Sequence, residues 1–114
     1  MSLGSWGEDT AARFLKKKGY TIIERNFRCR LGEIDIIALD GAELVFIEVK
    51  TRQNRKYGLP CEAVNAQKLR HLKRMSSYYI MVNHTEDRDV RLDVVEVLTE
   101  NGKTYLHHIE NILG

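Results

Sequence analysis

The sequence has few of the residues that several kinds of chemistry require. Its two cysteines, Cys29 and Cys61, lack the CxxC or Cys/His spacing of a zinc or redox centre. They are expected as free thiols in a reducing cytoplasm, and nothing in the pattern supports a disulfide between them. No apolar run approaches the ~20 residues needed to cross a bilayer. The first residues lack the apolar stretch of a secretion signal, so a cytoplasmic location without membrane association is expected. There are no repeats, low-complexity tracts or linkers. With 114 residues, the chain suits one domain (1–114) built around one core.

The net charge is only +2, but it is unevenly placed. Between Lys50 and Arg74 stand eight basic residues (Lys50, Arg52, Arg55, Lys56, Lys68, Arg70, Lys73, Arg74) and one acid, Glu62. That stretch therefore carries +7 and the rest of the chain −5. Such a basic segment fits either a solvated loop and helix face or a surface that meets a polyanion.

The most informative stretch is 32–50. Two runs rich in Ile, Val and Leu, 33–39 and 44–50, flank Asp40-Gly41, which predicts a β-hairpin. Alternation puts Ile34, Ile36 and Ala38 on one face of the first strand and Glu33, Asp35, Ile37 and Leu39 on the other. In the second strand Val45, Ile47 and Val49 share a face, opposite Leu44, Phe46, Glu48 and Lys50. Any loop with an even number of residues brings Asp35 onto the face of Glu48 and Lys50. With Gly41-Ala42 as the loop, Asp35 opposes Glu48 and Glu33 opposes Lys50. With Asp40-Gly41 the register slips but the faces stay the same. Crowded carboxylates repel unless a cation intervenes. Two readings fit: an exposed salt-bridge ladder, or a cation site on a face whose apolar remainder is covered.

Elsewhere the pattern is mixed. A helix is predicted over 5–18, with Ser5 as N-cap, Glu8 as its capping-box partner or a member of the site, and Gly19 as the stop. Ala11, Ala12, Leu15 and Trp6 or Phe14 supply its apolar side. Strand runs follow at 20–24 and 26–30, then a turn at 30–32. Residues 51–60 read as a basic loop. Asn65 caps a second helix running to about Val82, with Leu69, Leu72, Met75 or Ser76, Tyr79 and Val82 as its core stripe. Gln67 and Lys68 lie in its first turn, where an anion is within reach, and His71 is expected to face solvent. Strand 90–98 leads through the Asn101-Gly102 hairpin signal into a last strand, 105–109. His107 and His108 point to opposite faces of that strand and cannot form one metal site there.

Asp35, then twelve residues, then Glu48-Val49-Lys50 is a set with chemical meaning. Asp and Glu are hard oxygen donors suited to a divalent ion that keeps waters of its own. Such an ion makes a bound water more acidic and offsets negative charge in phosphoryl chemistry. Lys50, on Glu48's face, can orient or deprotonate a water or neutralise developing charge.

This pattern resembles the PD-(D/E)xK nuclease superfamily, which includes restriction enzymes and Holliday-junction resolvases. The whole chain, over roughly residues 4–98, is similar to the small bacterial YraN family. The residues that carry the likeness are 7–15 (GEDTAARFL), 32–37 (GEIDII), 45–52 (VFIEVKTR), 57–64 (YGLPCEAV), Lys68 and 91–95 (RLDVV). The resemblance implies an α/β fold with a mixed central sheet flanked by helices, as in restriction endonucleases. It places the metal-binding acids on Asp35 and Glu48, with Glu8 as the helix-borne acid, and the catalytic lysine on Lys50. The helix position that some members fill with Gln or Lys falls on Gln67 or Lys68. Ile34 replaces the proline of the superfamily's name, and the role of Glu33 is left open.

Together these readings predict a nuclease dependent on Mg²⁺ or Mn²⁺, acting on nucleic acid with DNA ahead of RNA. Arg52, Arg55, Lys56, Gln67 and Lys68 would contact phosphates. The alternatives are a nucleic-acid binder without turnover and a small structural protein with an acidic surface ladder. Resolvase-like folds often pair, which leaves room for a homodimer.

Overall fold

A computed structural model describes residues 2–53 and 66–112. The predicted contacts Arg55 and Lys56, together with Cys61 and the helix cap Asn65, lie outside the described residues. The elements run α1 (Leu3–Lys17), β1 (Thr21–Cys29), β2 (Gly32–Asp40), β3 (Glu43–Arg52), α2 (Ala66–Asn83), β4 (Val90–Glu100) and β5 (Lys103–Ile109). The five strands form one mixed sheet in the order β1-β2-β3-β4-β5. Only β3 and β4 are parallel, because a helix intervenes between them; the other neighbours are antiparallel.

The helices cover opposite faces. Ala11, Ala12 and Leu15 of α1 pack with Ile36, Ala38, Val45, Ile47, Val95 and Val97. Leu72, Met75 and Tyr79 of α2 pack with Ile34, Ile37, Leu44, Phe46 and Leu92. β3 and β4 are therefore covered on both sides, which suits the unbroken apolar run 44–47 of β3, while β4 also buries Arg91, Asp93 and Glu96 among its apolar residues. Phe46 is fully buried, and burying such a side chain stabilises the fold by about 1.5–3 kcal/mol.

Helix α1 begins earlier than the Ser5–Glu8 pattern suggests. Ser2 is the N-cap, its hydroxyl accepting the Ser5 amide at 3.1 Å, so Ser5 lies inside the helix. This frees Glu8 from a capping role. At the other end Tyr20 N–H bonds to Leu15 O and Gly19 N–H to Lys16 O, each at 3.0 Å, the paired bonds of a Schellman stop. Tyr20 precedes the first strand, and the two predicted runs 20–24 and 26–30 are one strand, β1, with a register shift between Ile22 and Glu24.

The alternation expected for β2 breaks at one point. Ile36 and Ala38 face α1, but Ile34 packs on the α2 side with Phe27. Arg25 lies opposite Ile36 and Phe27 opposite Ile34; between them, Asn26 is left-handed with φ 55°. β1 changes face there as well: Arg25 reaches Asp9 on α1 at 2.7 Å, while Phe27 stacks on Tyr79 of α2. A local twist thus carries both strands through the plane of the sheet beside Asp35.

Candidate metal and phosphate site

That twist opens the sheet. β2 and β3 pair from Asp40↔Glu43 to Ile36↔Ile47 and no further, with Gly41-Ala42 as the connection. Beyond that point β2 stays with β1 down to Cys29↔Gly32, and β3 stays with β4 up to Arg52↔Leu98. Asp35 sits in the crotch of this fork. Its Oδ2 accepts the Val49 amide at 2.8 Å, so a carboxylate takes up a backbone donor where the β2–β3 ladder ends.

Acids from two elements gather at the fork. Glu8 of α1 and Glu33 and Asp35 of β2 can each present an oxygen within 4.8 Å of the others. A close approach of α1 makes this convergence: a Cβ on Gly7 would lie 1.9 Å from Thr51 Oγ1, so only glycine lets the helix settle on β3 at this depth. The Asp35 carboxyl is pushed up to about 7, first by burial and then by the charge of Glu48, with Glu8 adding to both and the Val49 amide opposing them. No cation lies within ion-pair distance of Asp35 among the described residues.

The opposite wall is basic. Glu48 and Lys50 face α2, where Lys68 Nζ meets Glu48 Oε1 at 2.7 Å. Burial works against the Lys68 ammonium, but hydrogen bonds to Glu48 and Lys50 outweigh it and raise its pKa. Lys50 moves the other way, lowered first by its hydrogen bond with Lys68 and then by burial. Within this pair Lys68 is the firmer ammonium and Lys50 gives up its proton more readily. Arg52 turns toward Glu96, with Nε 3.6 Å from Oε2. Gln67 is exposed and lines a cleft with Arg70, His71 and Arg74.

Glu33, placed on Asp35's face by alternation with its role left open, joins Glu8 and Asp35. Two residues escaped the sequence reading. Glu96, directly opposite Lys50 in the ladder, is buried, and neither of its oxygens meets a hydrogen-bond donor among the described residues. Its place two residues beyond Val94 on a buried face was the available signal. His71 does not face solvent: its Nε2 lies 3.1 Å from the Glu33 carbonyl, and a Cβ on Gly32, at φ 137°, would come within 2.5 Å of its ring.

A second group with metal-like spacing, Asp93, His108 and Glu110, has a different character. Asp93 is fully buried, and its oxygens accept from Arg91 Nε at 3.0 Å, Arg91 Nη2 at 3.1 Å, His108 Nε2 at 2.8 Å and the Asn111 amide at 2.9 Å. Arg91 also reaches Asp40, Glu43, Glu110 and the Tyr20 hydroxyl. The guanidinium already supplies the positive charge, so this group braces β4 rather than awaiting an ion.

The fold and the fork define an α/β domain of restriction-endonuclease-like topology carrying a carboxylate–lysine cluster with metal-binding potential. The comparisons assign it more closely. Residues 7–97 match the uncharacterised protein family UPF0102. A UPF0102 protein of Alkaliphilus metalliredigens is 49% identical over 110 residues, covering 96% of each chain. UPF0102 proteins of Caldicellulosiruptor saccharolyticus and Symbiobacterium thermophilum are 53% and 55% identical, each over 95 residues, covering 83% of this chain and 80% of theirs. The chain belongs to the UPF0102, or YraN-like, family.

Proposed function

We propose that this protein is a metal-dependent nuclease that hydrolyses phosphodiester bonds, with DNA as the preferred substrate over RNA. The observation that carries this reading is the buried Asp35 carboxyl, set among Glu8, Glu33 and Glu48 with no cation within ion-pair distance of it among the described residues. Such a concentration of acids is costly unless an ion offsets it. All the donors are carboxylate oxygens, the chemistry Mg²⁺ or Mn²⁺ selects. Asp35, Glu8 and Glu33 would hold the ion, with Glu48 joining if it leaves Lys68.

Such an ion, once bound, supplies a more acidic water and charge neutralisation at the phosphoryl group. The chain's own residues do the rest. Lys50 orients the attacking water and accepts its proton, while Lys68 holds Glu48 and presents an ammonium to a phosphate oxygen. Arg52, at the end of β3, adds positive charge beside the fork.

A second reading, a nucleic-acid binder without turnover, is favoured by one contact: the Lys68–Glu48 pair neutralises a predicted ligand within the protein. The two separate in a cleavage assay on labelled single-stranded, duplex and branched DNA with Mn²⁺. The nuclease reading expects a rate loss of about a hundredfold or more for both Asp35→Asn and Lys50→Ala. Cleavage that survives both substitutions would remove these residues from the mechanism, and binding with no cleavage by the wild type would favour the second reading.

A further inference from the structure

On the other side of α2 from its core stripe lies a basic cleft that the proposed catalytic set does not use. Gln67, Arg70, His71 and Arg74 recur at helical spacing and line a cavity of about 210 Å³. Among the described residues its lining holds no acid. Arg70 and Arg74 stand four residues apart and both are exposed, an arrangement whose repulsion weakens a helix. Arg25, Arg28, Lys68 and Arg91 each have a carboxylate partner. Arg70 and Arg74 have none among the described residues.

The cleft is anchored to the fork. His71 Nε2 meets the carbonyl of Glu33, the residue whose carboxylate belongs to the acid cluster. Gly32, with no Cβ, lets the imidazole lie against the start of β2. His71 Nδ1 is left without a partner among the described residues. Two planar guanidinium forks, an amide and a ring nitrogen thus point to one kind of ligand. Guanidinium matches the oxygens of a phosphate bidentately.

We infer that Gln67, Arg70, His71 and Arg74 form a second phosphate subsite, binding the backbone of the same nucleic-acid strand that meets the acid cluster. This rests on the nucleic-acid reading above but not on catalysis. Arg70 and Arg74 would hold phosphate oxygens, with Gln67 and His71 fixing the path of the strand away from Asp35. The contact is with the backbone, so it is indifferent to base sequence.

The test is fluorescence anisotropy of labelled oligonucleotides with Ca²⁺ present, over a range of salt concentrations. Relative to wild type, the double variant Arg70→Ala/Arg74→Ala should bind about tenfold more weakly at moderate salt, and its slope of log K against log salt should be shallower by about two. Lys73→Ala, which removes a charge from the same helix outside the cleft, should change the slope by less than half of that. Circular dichroism confirms that the variants fold.

An unchanged slope in the double variant overturns the inference, and so does an equal effect per charge from Lys73→Ala. Polyglutamate bound with the same dependence on both arginines overturns the assignment to nucleic acid. Mn²⁺-dependent cleavage lost in Asp35→Asn, with the slope unmoved by the arginines, leaves the nuclease reading standing and this one fallen. A shallower slope without cleavage by the wild type does the reverse.

Discussion

Replacing Asp35 by Asn should stabilise the chelator-treated protein, and only above mildly acidic pH. The folded protein keeps the Asp35 proton up to about pH 7, whereas an ordinary Asp carboxyl releases it near 3.8. Between those values the folded state holds a proton that the unfolded chain has lost. Stability therefore falls as pH rises through the interval and levels off above it. At about 1.4 kcal/mol per pH unit, the interval sets a ceiling of about 4 kcal/mol. Asn keeps the size of the side chain and an oxygen for the Val49 amide, but cannot ionise. Urea unfolding of both proteins in EDTA should show them close at about pH 4, with the variant ahead by about 2–4 kcal/mol at about pH 8. Mn²⁺ should then close the gap by stabilising the wild type alone. A difference that does not change with pH would refute the reasoning, because ionisation of Asp35 would then not be the source of the strain.

Two further outcomes are expected. Gly7→Ala should lower stability by about 1–3 kcal/mol through its clash with Thr51, although helix propensity alone favours Ala by about 1 kcal/mol. Thr51→Gly in the same chain should recover the part of the loss due to the clash, as a double-mutant cycle by urea unfolding will show. Arg91→Ala should cost about 3–5 kcal/mol at neutral pH by leaving Asp93 buried and charged. Burial raises the Asp93 carboxyl, but His108, Arg91 and Asn111 outweigh it and hold it below the usual range. The stability it contributes is thus present at neutral pH and lost as pH falls below that range, so unfolding measured in acid should show a smaller penalty for the variant.

The hairpin was legible because its two signals agree: alternating apolar runs around a turn, and a charge pattern that only one parity permits. The register with Gly41-Ala42 as the connection is one of the two considered from sequence. Ile34 was misplaced because alternation assumes a continuous ladder, and the twist at Asn26 and Asp35 breaks it. Asn enters the left-handed region more readily than most residues, but one Asn inside a strand pattern does not by itself mark a break in the ladder. Ser5 and Glu8 form a convincing capping box by spacing, yet Ser2 offers the same hydroxyl earlier and Glu8 is drawn toward Asp35. Long-range partners were the least visible: His71 finds the Glu33 carbonyl and Glu96 lies across from Lys50. Both contacts depend on how α2 and β4 return to the hairpin.

The short Gly41-Ala42 connection has a consequence for the order in which the molecule assembles. Glu33, Asp35, Glu48 and Lys50 all lie on the two arms of one hairpin, whose closure needs little loop entropy. Glu8 and Lys68 arrive only when the helices dock from distant parts of the chain. Like-charge repulsion would therefore be felt from the first steps of folding, before either helix is in place. If the hairpin belongs to the folding nucleus, neutralising Asp35 should speed refolding at neutral pH rather than slow unfolding. The same acids proposed to gather a cation would then set the pace at which the chain first closes on itself.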